Sequence, residues 1–117
     1  MKLLIIIIRH EKYAETKKEL EAAGFSSYSS RDVLGRGNIG FSVEVAKKTD
    51  QKDTVGSVLY SKKMLEICVT DKDAEQVMSV IVKINHSGHH GDGKIFVLPV
   101  RDVIRIRTAE KGDNAIL

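Results

Sequence analysis

The stretch Lys2 to Arg9, KLLIIIIR, narrows the folding options more than any other part of the chain. Successive strand residues face opposite sides of a sheet, so an uninterrupted, largely β-branched apolar run needs cover on both faces or a central place in the sheet. The run falls far short of the ~20 residues that cross a bilayer. It has no small-residue cleavage site and passes directly into the charged RHEK, unlike a signal peptide. It predicts a central, buried strand, and no transmembrane segment is expected.

The segments that follow alternate in kind. EKYAETKKELEAAG sets Tyr13, Leu20 and Ala23 on one stripe, lets Glu15 and Lys18 pair outside it and supplies Gly24 as a stop, which predicts an amphipathic helix. FSSYSSRDVLGRG reads as a polar, alternating strand ending at Gly35 and Gly37. From Asn38 to about Ser57 there is no apolar period, and a long loop in so small a chain is usually functional or disordered. Met64 to Val69 then reads as a strand. Thr70 suits a helix cap, Asp71, Asp73 and Glu75 suit the positive end of the helix dipole, and Ala74, Val77, Ile81 and Ile84 form an apolar stripe. KIFVL predicts the next strand, and after Pro99 the alternation of DVIRIRT predicts a short extra one.

The order βαββαβ plus an extra C-terminal strand predicts an α+β, ferredoxin-like sandwich with both helices on one face of the sheet. LLIIII and LEICV offer apolar side chains in both directions, so the other face would stay apolar. That predicts a closed homo-oligomer.

With 117 residues, the chain fits one domain, 1–117. Its 19 basic and 16 acidic residues are interleaved, so the net charge of +3 suits small anions better than a nucleic-acid surface. Cys68 is the lone cysteine, without a partner for an internal disulfide, which fits a reducing compartment and points to a cytoplasmic protein.

Three segments could carry chemistry. In GHHGDGK, glycines let backbone N–H groups approach an oxyanion and Lys94 adds a positive charge, the ingredients of a phosphate loop. The spacing is not that of a P-loop and a strand follows rather than a helix, so a plain helix-to-strand turn is the competing reading. His86, His89 and His90 have weak metal-ligand spacing and no cysteine or carboxylate set nearby, so no metal is expected. In VIRIRT, strand alternation would aim Arg105 and Arg107 the same way, a pair suited to a polyphosphate, or to acidic neighbours on an edge strand. No nucleophile, base and orienting group come together in sequence, so an enzyme is disfavoured.

The segment GDGKIFVLPVRDVIRIRT, with IIIIRHEK, the Gly24 turn, VLGRG and the tail EKGDNAI, resembles the PII signal-transduction family from end to end. The resemblance implies a trimer in which ATP and ADP compete for clefts between subunits and 2-oxoglutarate binds beside ATP. It implies a nucleotide-binding loop at 86–94, with Gly91, Asp92 and Gly93 against the phosphates and Lys94, Arg105 and Arg107 neutralising them. Gly35, Arg36, Gly37 and Asn38 would line the nucleotide, Ile7, Ser29 and Cys68 would flank it, Glu66 would support Lys94, and Lys62 would reach the 2-oxoglutarate carboxylate.

The stretch 38–57 matches the family's target-docking T-loop, and 108–117 its C-terminal tail. Ile39 stands where most members carry a glutamine that helps bind Mg2+ and 2-oxoglutarate, and an apolar side chain cannot coordinate a hard cation. That implies effector binding that is absent or differently arranged. The YRGAEY motif is missing, so uridylylation is not expected. AETKKELEAAGFSSYSSRDVLGRG and NHSG are similar to the nitrogenase-associated branch, whose members work as pairs of sister chains. The implied target is then nitrogenase, with an ammonium transporter or glutamine synthetase as the alternatives and a homotrimer or a mixed assembly as the form. Two remoter readings share the strand order. An RNA-binding module would need aromatic residues that KIFVLPV does not supply, and a metal-tolerance trimer would use the histidines.

Overall fold

The computed structural model describes residues 1–36 and 59–117. The expected loop at 38–57 and the predicted site residues Gly37 and Asn38, with Ile39, lie outside them. Strand β1 covers Lys2–Arg9, helix α1 Tyr13–Ala22, strand β2 Ser29–Gly35, strand β3 Tyr60–Val69, helix α2 Asp71–Asn85 and strand β4 Lys94–Pro99. Among the described residues the four strands form one antiparallel sheet in the order β2-β3-β1-β4. Each helix therefore joins two strands that run the same way with a third inserted between them, the split βαβ arrangement of the ferredoxin-like fold.

The KLLIIIIR run is indeed an interior strand, flanked by β3 and β4. Its alternate residues Leu4, Ile6 and Ile8 are fully buried beside Leu65, Ile67 and Val69 of β3. Leu20 of α1 and Ala74, Val77 and Ile81 of α2 close this core from the helix side. The opposite face holds Leu3, Ile5, Ile7, Met64, Cys68, Phe96 and Leu98, none of them buried, with Phe96 47% and Leu98 39% exposed. The apolar open face anticipated from LLIIII is present in the single chain.

The helix boundaries follow local chemistry. Gly24 takes φ +93°, Phe25 N–H donates to the Leu20 carbonyl at 2.8 Å and Gly24 N–H to that of Glu21 at 3.0 Å, a Schellman stop that glycine makes without strain. The Thr70 hydroxyl accepts from Asp73 N–H at 3.2 Å and caps α2. Two details depart from the periodic reading. The stripe of α2 ends on buried Asn85 rather than Ile84, and α1 buries Thr16 beside Leu20. Asn85 Nδ2 donates to Thr16 Oγ1 at 3.1 Å and to the Ile81 carbonyl at 2.9 Å, while Thr16 Oγ1 donates to the Lys12 carbonyl at 2.7 Å. A polar bridge thus crosses the contact between the helices.

The expected extra strand over DVIRIRT does not form. Ile104 makes one isolated bridge with Lys111, residues 106–108 turn, and Ala109 adopts φ +59°. Alternation gives the segment strand character, but among the described residues it has no neighbouring strand to pair with, and it folds back on the tail. Arg105 N–H donates to the Glu110 carbonyl, and its guanidinium reaches Glu110 Oε2 at 2.5 Å and the Asn114 and Leu117 carbonyls at 2.9 and 2.7 Å. Among the described residues no helix is long and apolar enough to cross a membrane.

Candidate functional site

The antiparallel order brings the C-terminal ends of β1 and β2 and the N-terminal ends of β3 and β4 to one edge of the sheet. The segment 86–93, between α2 and β4, arrives at the same edge. Together they line an open cavity of about 520 Å³. Gly35 and Arg36 line it from β2, Ile7 from β1 and Lys62 from β3. Gly91, Asp92, Gly93 and Lys94 close the remaining side with Phe96 and the two histidines, His89 and His90. Arg36 and Lys94 are exposed and Lys62 half-buried, and all three cationic residues line this one pocket. Such a site suits a multiply charged anion.

The loop lies tight against β1. A Cβ on Gly93, whose φ is +115°, would stand 1.8 Å from the Ile7 carbonyl oxygen and 2.9 Å from its carbon, so only glycine permits this approach. Asp92 turns inward. Its carboxylate accepts from Ser87 N–H at 2.7 Å, from Gly88 N–H at 3.1 Å, from Arg9 Nη1 at 2.5 Å and from the Ser87 hydroxyl. The Ser87 hydroxyl and amide, then Arg9, hold its pKa well below the usual carboxylate range. Arg9 Nη2 also donates to the His90 carbonyl at 2.9 Å, and Lys62 Nζ to that of Gly91 at 2.7 Å. Burial, followed by the Arg9 charge, lowers the pKa of Lys62. An anion in the cavity would oppose both effects.

Of the residues implied by resemblance, Ile7, Gly35, Arg36, Lys62, Gly91, Asp92, Gly93 and Lys94 share this cavity. Ser29, Glu66 and Cys68 do not line it and lie further along the open face. Glu66 meets Arg31 Nη2 at 2.9 Å rather than Lys94, whose row across the sheet holds Ile7 and Met64. Arg105 is engaged by the tail and Arg107 sits in the turn after it, so within one chain they do not form the pair that alternation suggested. Arg9, Ser87 and Phe96 were not anticipated. Arg9 had one visible signal, a charge ending an otherwise apolar strand. His89 and His90 line the cavity, and among the described residues no cluster of three potential ligands could hold a metal.

Comparison with known proteins adds an independent observation. The model of the family described as "Nitrogen regulatory protein P-II" matches residues 1–110. A "Nitrogen fixation nifHD region GlnB-like protein 2" of Methanobacterium ivanovii is 43% identical over 122 residues, covering all of both chains. A protein of the same description from Methanococcus maripaludis is 44% identical, covering 99% of this chain and 100% of the relative. "Nitrogen regulatory protein GlnK2" of Haloferax mediterranei is 38% identical, covering 99% of this chain and 91% of the relative.

Proposed function

Since the chain belongs to the nitrogen regulatory protein P-II family, we propose that it is a non-catalytic sensor which binds ATP or ADP in the cavity at the sheet edge and regulates a protein target through the segment 38–57. The observation that carries this reading is the convergence of Arg36, Lys62 and Lys94 on the loop that Gly93 presses against β1. Glycine-rich backbone admits phosphate oxygens closely, and three cations offset their charge.

A trimer, or a mixed assembly with a sister chain, would complete the site. The open face would be buried between copies, and Ser29, Glu66, Cys68, Arg105 and Arg107 would join the nucleotide from across the seam. 2-Oxoglutarate would sit beside ATP, its carboxylate drawing Lys62 away from the Gly91 carbonyl. Any Mg2+ would be carried mainly by phosphate oxygens, because the Asp92 carboxylate is already engaged by Ser87, Gly88 and Arg9. Ligand state then controls the target by favouring one arrangement of 38–57 over another. The nitrogen-fixation descriptions of the relatives favour nitrogenase as that target.

Titration calorimetry with ATP, ADP and 2-oxoglutarate tests the sensor, and a pull-down of nitrogenase in each ligand state tests the target. The reading predicts micromolar nucleotide binding, with 2-oxoglutarate binding only when ATP is present. Absence of nucleotide binding up to millimolar concentration rejects it.

A further inference from the structure

We propose that Arg9 is a positioning residue: it holds the loop 87–92 in its anion-receiving shape by gripping Asp92 and the His90 carbonyl, without touching the nucleotide. The proposal rests on the nucleotide reading of the cavity. Arg9 is the last residue of β1, and its side chain is 22% exposed, as is that of Asp92. Both terminal nitrogens of its fork are committed to the loop, Nη1 to Asp92 at 2.5 Å and Nη2 to the His90 carbonyl at 2.9 Å, while Nε faces Glu11 at 3.9 Å.

Asp92 extends that grip. Its carboxylate accepts from the amides of Ser87 and Gly88, five and four residues earlier, so one side chain ties the start of the loop to its end and both to β1. The peptide bond is planar and trans, so each carbonyl points opposite to the N–H that follows it. Fixing the His90 carbonyl on Arg9 and the Gly91 carbonyl on Lys62 therefore fixes the amides of Gly91 and Asp92. Gly88, Gly91 and Gly93 all have positive φ, at 83°, 96° and 115°. A loop with that much backbone freedom would lose entropy on closing around a ligand unless something had already ordered it.

The test compares wild type, Arg9→Gln, Arg9→Lys, Asp92→Asn and the Arg9→Gln/Asp92→Asn double variant. ATP and ADP affinities come from calorimetry and loop order from amide hydrogen exchange without ligand. The expected result is roughly tenfold weaker binding of both nucleotides for Arg9→Gln and for Asp92→Asn. The double variant should lose little more than either single one. Lysine cannot bridge both partners, so Arg9→Lys should fall between wild type and Arg9→Gln. Exchange at 87–92 should quicken in every weakened variant.

Three outcomes overturn the proposal. The first is wild-type affinity in both single variants, and the second is a loss confined to Arg9→Gln, which would make Arg9 a direct ligand group. The third is unchanged exchange at 87–92 in Arg9→Gln. Failure of wild type itself to bind nucleotide would sink the sensor reading instead, and the exchange arm would still decide whether Arg9 orders the loop.

Discussion

At Gly93 the hydrogen in place of a side chain is what lets the loop touch β1. Gly93→Ala would force a methyl into the backbone of Ile7, which the pairing of β1 with β3 and β4 prevents from moving. We expect a loss of about 2–4 kcal/mol, seen as a melting temperature lower by roughly 10 °C or more in circular dichroism. Gly35→Ala is the control. Among the described residues its added Cβ would meet the flexible Lys62 Cγ at 3.5 Å, an ordinary contact, so little change is expected. Asp92 makes a second prediction. Its pKa is depressed in the folded chain, so its contribution is present above the unfolded value near 3.8 and fades as pH falls through and below that value. Denaturation midpoints between pH 6 and pH 3 should fall less in Asp92→Asn than in wild type. Neither role was legible in the sequence at this level: GDGK displays its glycines, but Arg9 and Asp92 are 83 residues apart, and no local pattern joins them.

Among the elements, those with a local period could be read directly. The β1 run, the α2 stripe from Ala74 to Ile81 with its Thr70 cap, and the Gly24 stop all appear where spacing placed them, because each depends on residues within a turn or two. The misreadings came where geometry depends on a neighbour. DVIRIRT alternates like a strand, yet after Pro99 it pairs with no strand among the described residues. Thr16 and Asn85 belong to neither stripe read from the sequence, and only the packing of α1 against α2 joins them. Thr16→Val keeps the volume but removes an acceptor from a buried amide, and the Asn85 Oδ1 already lacks a partner among the described residues. A cost of about 1–3 kcal/mol is expected in chemical denaturation. A change below experimental error would mean that the bridge adds nothing to the contact between α1 and α2.

For the molecule as a whole, two unfinished surfaces meet at the same sheet: the apolar open face and the cationic cavity at its edge. Half-buried Leu3, Ile5 and Ile7 beside exposed Phe96 and Leu98 make more apolar surface than a lone chain readily keeps in water. We expect sedimentation to give a trimer, and Leu98→Glu, which places a charge on that face, to shift it toward monomer. A wild-type monomer at micromolar concentration would contradict this.

The account turns on whether the cavity receives an adenine nucleotide, and amide chemical shifts during an ATP titration test that residue by residue. It predicts the largest, saturable changes at Gly91, Gly93 and Lys94, with Arg36 and Lys62 following the same curve. Shifts spread evenly over the surface, or centred away from the 86–94 loop, would contradict it.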